Sequence, residues 1–176
     1  MVIIAIAAAS TIAVLIASVM FFVPGPQTLN AMSAEPNNST ITQTANPTEG
    51  YQKVNVTING FTALADVAAT QEQKTKGLDV RSSMAENQAM LFPFPDENNY
   101  GFWMKGMKFP IDIIWINADK KVVHIEHSLP PCTGSDLTCP IHSPSEKAKY
   151  VLETTAGFSD RHHVIEGTPV LFDLTN

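Results

Sequence analysis

Residues 90–125 read MLFPFPDENNYGFWMKGMKFPIDIIWINADKKVVHI, and this stretch decides the fold. Met90 to Phe94 and Gly101 to Lys105 are predicted as short strands flanking a turn at Pro95 to Tyr100. Ile111 to Asn117 is apolar on both faces except at Asp112, which marks a central strand covered on both sides. Ala118-Asp119-Lys120 turns the chain, and Lys121 to Ser128 runs back as the partner strand. So many Phe, Trp and Met side chains in one short span mark the core of a small β-rich domain.

Upstream of it, Val54, Val56 and Ile58 alternate with Lys53, Asn55 and Thr57. Asn59-Gly60 follows, the favoured type I′ turn, because both positions need positive φ. Phe61, Ala63, Ala65 and Val67 resume the alternation, so 53–67 is predicted as a β-hairpin. Thr70 to Lys76 reads as a short helix with a Thr70/Gln73 capping box and Gly77 at its end. Ser82 to Gln88 reads as a polar loop. Downstream, a proline-rich loop (Pro130 to Ser145) precedes a strand at Tyr150 to Thr154. A helical turn is expected in Ala156 to His162, and a last strand at Pro169 to Leu174. The fold class expected is mainly β (α+β): a compact, barrel-like antiparallel or mixed sheet with two short helices, preceded by one transmembrane helix.

That helix is the expectation for residues 1–23. Met1 to Val23 carries no charged side chain, and about 20 apolar residues span a bilayer core. Pro24, Gly25 and Pro26 end the run. A cleavable signal peptide is the rival reading, but it has a shorter apolar region behind a basic start, so an uncleaved anchor is favoured. Residues 24–50 are rich in Asn, Thr, Ser, Pro and Ala and cannot offset their ordering entropy by burial, so they read as a tether. Residues 51–176 form the globular domain.

Topology and compartment rest on short signals. Asn38-Ser39-Thr40 and Asn55-Val56-Thr57 match the N-glycosylation pattern. Cys132 and Cys139 are the only cysteines. Their six-residue spacer suits a structural disulfide better than a redox pair, which has two intervening residues. Together these favour a globular part outside the cytoplasm. All eleven Lys and Arg lie after residue 50, against a total of 17 Asp and Glu in the chain. No basic patch points to nucleic acid.

From about Asp66 to Asp173 the chain resembles the family catalogued as domain of unknown function 192. Lys76-Gly77-Leu78 with Arg81 is similar to its early Gly-Leu…Arg motif. Met90-Leu91-Phe92-Pro93-Phe94 resembles its Met-Leu-Phe-x-Phe strand. Phe102-Trp103-Met104-Lys105 followed by Pro110-Ile111-Asp112-Ile113-Ile114-Trp115-Ile116 is similar to its signature hairpin. Tyr150-Val151-Leu152-Glu153 and Ala156-Gly157 resemble its C-terminal strand and turn. Gly106 stands where many members have Asn, Asp79 where Met is common and Ala89 where Gly is frequent. The resemblance implies a small, mostly β domain, often exported or anchored, with no established reaction.

Asp112 interrupts an apolar strand, and a buried carboxylate is costly unless paired or hydrogen-bonded. One reading makes it structural, an ion pair or a carboxylate holding a turn's amides. The functional reading makes Asp112, Arg81 and Lys105 the floor of a polar pocket rimmed by Phe102 and Trp103, with Glu126 and Glu153 nearby. No catalytic string is present: no G-x-S-x-G elbow, no H-E-x-x-H helix, no phosphate-cradling glycine loop. His124 and His127 fall on opposite strand faces, and Met90, Met104 and Met107 are commoner as core than as copper ligands. No cofactor or metal is implied.

The leading expectation is a membrane-anchored, extracytoplasmic binding or accessory module, using its aromatic surface to hold a membrane-protein partner. The alternative is a small-ligand or enzymatic domain built on Asp112, Arg81 and Lys105. Copper handling stands third.

Overall fold

The computed structural model describes residues 50–135 and 138–174. The expected membrane span, the tether before Gly50 and the Asn38 sequon lie outside them. Among the described residues no helix is long and apolar enough to cross a membrane.

The hairpin forms as the alternation dictates. β1 (Gln52–Ile58) and β2 (Phe61–Val67) pair antiparallel from Gln52↔Val67 to Ile58↔Phe61. Asn59 and Gly60 both take positive φ, 47° and 84°. Helix α1 (Gln71–Lys76) follows with the Thr70/Gln73 capping box in place. It carries the chain across so that β3 (Gln88–Asn98) lies parallel to β2, with Asp66 opposite Met90. A helical crossover is the economical way to join two parallel strands.

β3 runs further than expected. It passes through Pro93 and Pro95 and ends at Asn98, where a turn was predicted. Its register against β8 (Ala148–Thr155) slips between Pro93 and Asn98. Prolines lack the ladder donor and are tolerated where pairing is interrupted. The Gly101–Lys105 strand shrinks to β4 (Phe102–Trp103). Its partner is a strand not foreseen in the cysteine loop, β7 (Ile141–His142).

β5 (Ile111–Ile116) is buried at all six positions and sits between β6 (Val122–Leu129) and β8, as a doubly covered strand should. The last strand, β9 (Val170–Leu171), is shorter than expected and pairs with β1. The main sheet therefore runs β6-β5-β8-β3-β2-β1-β9 and is mixed. It curls into a half-barrel whose outer strands approach each other. Val122 N–H donates to Thr168 O at 3.0 Å, and Val170 N–H donates to Lys120 O at 2.8 Å.

Two cores result, one on each sheet face. Inside the curl lie Val54, Val56, Ile58, Ala65, Leu91, Leu152, Ile114 and Val170. Helix α2 (Phe158–Arg161) seats Phe158 among them, edge-on to Phe61 at 5.5 Å. On the other face Met90, Phe92, Ile113, Trp115 and Val151 are covered by Phe102, Met104 and Met107. The small β4–β7 sheet is the lid of this second core.

Glu86, in the polar loop, fastens α2 from outside. Its carboxylate accepts from Arg161 Nη2 at 2.6 Å, Arg161 Nε at 3.0 Å and Thr155 Oγ1 at 2.7 Å, and faces His162 Nε2 at 2.9 Å. The Arg161 bonds, helped by those of Thr155 and His162 and opposed by partial burial, hold this carboxyl down at about 2. A depressed carboxyl stabilises the fold above its unfolded value and loses that contribution as pH falls through the folded one. The fold should therefore weaken between pH of about 4.5 and about 2. Glu86→Gln should flatten this segment of the acid-unfolding curve, read by circular dichroism.

Candidate functional site

Met104 and Leu129 of the second core, with Cys132 packed against it, also line a cavity. This cavity of about 370 Å³ is lined by Met104, Leu129, Pro130, Pro131, Cys132, Thr133, Gly134, Pro140 and His142. Its construction follows from local sequence. Pro130-Pro131 ends β6 and turns the chain away from the sheet, because neither proline can donate to a ladder. Cys132 then returns to the β4 region, donating its N–H to Met104 O at 2.9 Å. A disulfide joins Cys132 to Cys139 across Cα atoms 5.8 Å apart, so the predicted staple is present. It closes the loop over the cavity, and β7 forms the far side.

Among the described residues His142 is the titratable side chain of the lining. Antiparallel pairing sets it opposite Phe102. Its Nδ1 lies 3.6 Å from Glu126 Oε1, and the same oxygen lies 3.6 Å from His124 Nε2. His124 Nδ1 in turn lies 3.9 Å from Glu166. The alternation of β6 explains the grouping, since His124 opposes Trp115 and Glu126 opposes Ile113, both on the lidded face. Among the described residues no cluster of three or more His, Cys, Asp or Glu side chains is arranged to hold a metal ion.

The other predicted site residues are placed differently. Asp112 is fully buried, and backbone amides occupy both its oxygens. Oδ1 accepts from Ser128 N–H and Gly157 N–H, and Oδ2 from Ser159 N–H, each at 2.8 Å. It thus ties the end of β6 and the start of α2 to the central strand. Arg81 does not bond to it. Its guanidinium meets Asp66, which also receives Lys53. Lys105 stands at a bridge to Cys132, its Nζ 5.4 Å from the Trp103 ring centroid. Phe102 and Trp103 are 1% and 4% exposed, so they form core and not the rim expected from sequence. The structure does not assemble Asp112, Arg81 and Lys105 as one pocket floor.

Glu153 and Asp66 form a separate buried polar row. Register sets Asp66 beside Met90, Met90 beside Glu153 and Glu153 beside Ile113, so the two acids share one face. Burial pushes the Glu153 carboxyl up to about 8, with Arg81 opposing the shift. Its Oε2, Arg81 Nε and Trp103 Nε1 are buried without hydrogen-bond partners among the described residues.

Residues 54–172 match domain of unknown function 192 (DUF192), described as "Uncharacterized ACR". The chain belongs to the DUF192 family. A UPF0127 protein of Thermococcus gammatolerans is 30% identical over 119 residues, which cover 66% of this chain and 69% of that protein. A crystal structure of a candidate transcription regulator from Sinorhizobium meliloti is 29% identical, with a TM-score of 0.62. The match covers 69% of this chain and 95% of that one. A protein of unknown function from Novosphingobium aromaticivorans is 25% identical with a TM-score of 0.61, covering 72% and 89%. Within this DUF192 domain, the Asn-to-Gly departure at Gly106 has a backbone reason. Its φ is +79°, a region that Gly enters freely and Asn tolerates.

Sequence reasoning missed Asp66, Glu86 and the pairing of His142 with Glu126. The alternation of β2 does place Asp66 on the face opposite Ala65 and Val67, but not the cover above it. Nothing local announces Glu86.

Proposed function

We propose that this DUF192 domain is a small-ligand-binding module, and that the cavity beneath the disulfide loop is its binding site. One observation carries the reading. Among the described residues a space of about 370 Å³ lies between a mostly apolar wall and the His142 imidazole, with Thr133 at its edge, the composition of a small-molecule site. The aromatic docking surface has no such support, since Phe102 and Trp103 are interior. Asp112 is fully buried and its carboxylate is committed to three backbone amides. The regulator designation of the Sinorhizobium relative does not carry over easily, because a net charge of −6 disfavours binding to nucleic acid.

The proposal includes a place outside the cytoplasm, anchored by residues 1–23. The disulfide supports the compartment, and the uncharged apolar run supports the anchor. Such a span can also pack against other helices, which keeps a membrane-protein partner within the proposal.

Ligand-observed NMR with a fragment library tests the site. A fragment of about ten heavy atoms should bind with Kd of about 0.1–1 mM. Thr133 is exposed and lines the cavity, so Thr133→Trp should fill the space and abolish the hits without unfolding the domain. Hits that persist in Thr133→Trp, or their absence from the unmodified protein, would contradict the reading.

A further inference from the structure

We infer that the cavity selects uncharged ligands with an apolar body and a single O–H or N–H donor, the chemistry of a phenol or an alcohol. This rests on the cavity being the binding site, and adds the class of molecule it takes.

Among the described residues the donors of the lining sit at its exposed edge, where Thr133 brings a hydroxyl and an N–H and Gly134 an N–H. Pro130, Pro131 and Pro140 have carbonyls but no N–H. The Cys132 N–H is committed to Met104 O. Leu129 and Met104 add hydrocarbon and sulfur, and Cys132 a disulfide sulfur with no thiol proton.

His142 supplies the acceptor. A carboxylate facing one imidazole nitrogen holds the proton there and leaves the other nitrogen with its lone pair. Glu126 lies 3.6 Å from Nδ1, and its charge favours the tautomer with N–H on that side, which leaves Nε2 as the acceptor. Among the described residues Nε2 has no partner. A ligand hydroxyl would satisfy it.

Charge excludes the alternative of an anion. Glu126 stands directly behind His142, and Glu166 stands behind His124. A carboxylate ligand would meet a lone pair backed by negative charge at His142, away from the Thr133 and Gly134 donors at the exposed edge. An apolar ligand without a polar group would fit the wall and leave Nε2 unsatisfied.

Three probes of one shape separate these cases: 4-ethylphenol, ethylbenzene and 4-ethylbenzoate. Their affinities are measured by calorimetry at pH 8 on the full chain in nanodiscs, with Thr133→Trp subtracting partition into lipid. 4-Ethylphenol should bind at least about fivefold more tightly than either other probe, since a good hydrogen bond contributes about 1 kcal/mol. His142→Phe should bring all three within about twofold of one another. Glu126→Gln, at a half-exposed strand position, should narrow the gap between the phenol and the benzoate. The inference is overturned if 4-ethylbenzoate binds as tightly as the phenol, or if the preference survives His142→Phe. If no probe binds, the cavity reading fails and takes this inference with it. Binding without preference sinks the inference alone.

Discussion

Asp112→Ala should nearly unfold the domain. Three backbone amides, those of Ser128, Gly157 and Ser159, lose the carboxylate that accepts from them; Ser159 is buried, Gly157 half-buried and Ser128 exposed. The buried Ser159 amide costs about 1–3 kcal/mol when unsatisfied and the two partly solvated amides about 1 kcal/mol each, so the total is on the order of 3–5 kcal/mol. A domain has about 5–15 kcal/mol in all. At about 3–5 °C per kcal/mol, the melting temperature should fall by roughly 10–25 °C. Hydrogen exchange would localise the effect, with the Gly157 and Ser159 amides losing protection before the β1–β2 hairpin. Asp112→Asn keeps one acceptor oxygen and should cost about half as much. A variant that kept the parental melting temperature would restore Asp112 as a ligand-contacting group and contradict its placement as an anchor of α2.

Glu153→Gln should change how stability depends on pH. Burial holds the Glu153 carboxyl at about 8, against 4.5 for an ordinary glutamate. The folded state therefore keeps a proton that the unfolded state releases. Stability from this group is complete below about 4.5, falls as pH rises, and is fully lost once pH has passed about 8. The slope approaches about 1.4 kcal/mol per pH unit, and the loss is on the order of 5 kcal/mol. Glutamine mimics the neutral acid and has nothing to ionise. Denaturant midpoints at pH 5, 7 and 9 should fall steadily for the parent and stay level for Glu153→Gln, making the variant the more stable at pH 9. Parallel profiles would remove Glu153 as the source. Glu86 acts in a separate window, below pH of about 4.5, so the two effects do not overlap.

Much of the fold was legible because the local signals agree with one another. The β1–β2 hairpin carries clean alternation and an Asn-Gly turn, and α1 carries its own capping box. β5 declared itself by being apolar on both faces. Elements without a periodic signal were not legible. β7 is two residues inside a proline-rich loop, and the continuation of β3 through Pro93 and Pro95 runs against the usual meaning of proline. The parallel pairing of β2 with β3 depends on where α1 delivers the chain, which neither strand encodes.

The same division runs through the site. Asp112 stood out because a carboxylate in an apolar strand must have partners, and it has three. Those partners are amides from β6 and α2, so no sequence pattern could choose between holding a turn and holding a ligand. Phe102 and Trp103 were read as a rim because strand alternation does not reveal a lid. The lid is β4 itself with β7 and the Cys132–Cys139 loop, gathered from distant sequence. His142 and Glu126 lie on different strands, and only the folded chain brings them together.

The most direct test of the cavity is the Met104 methyl resonance. The chain has seven methionines, and Met104 lines the cavity while Met90 is packed beneath the lid. The full chain, labelled at its methionine methyl groups, would be titrated with 4-ethylphenol to millimolar concentration. Met104 should show a saturable shift and Met90 little change, and the response should be lost in Thr133→Trp. An unmoved Met104 signal, or the same shift in Thr133→Trp, would contradict the cavity reading.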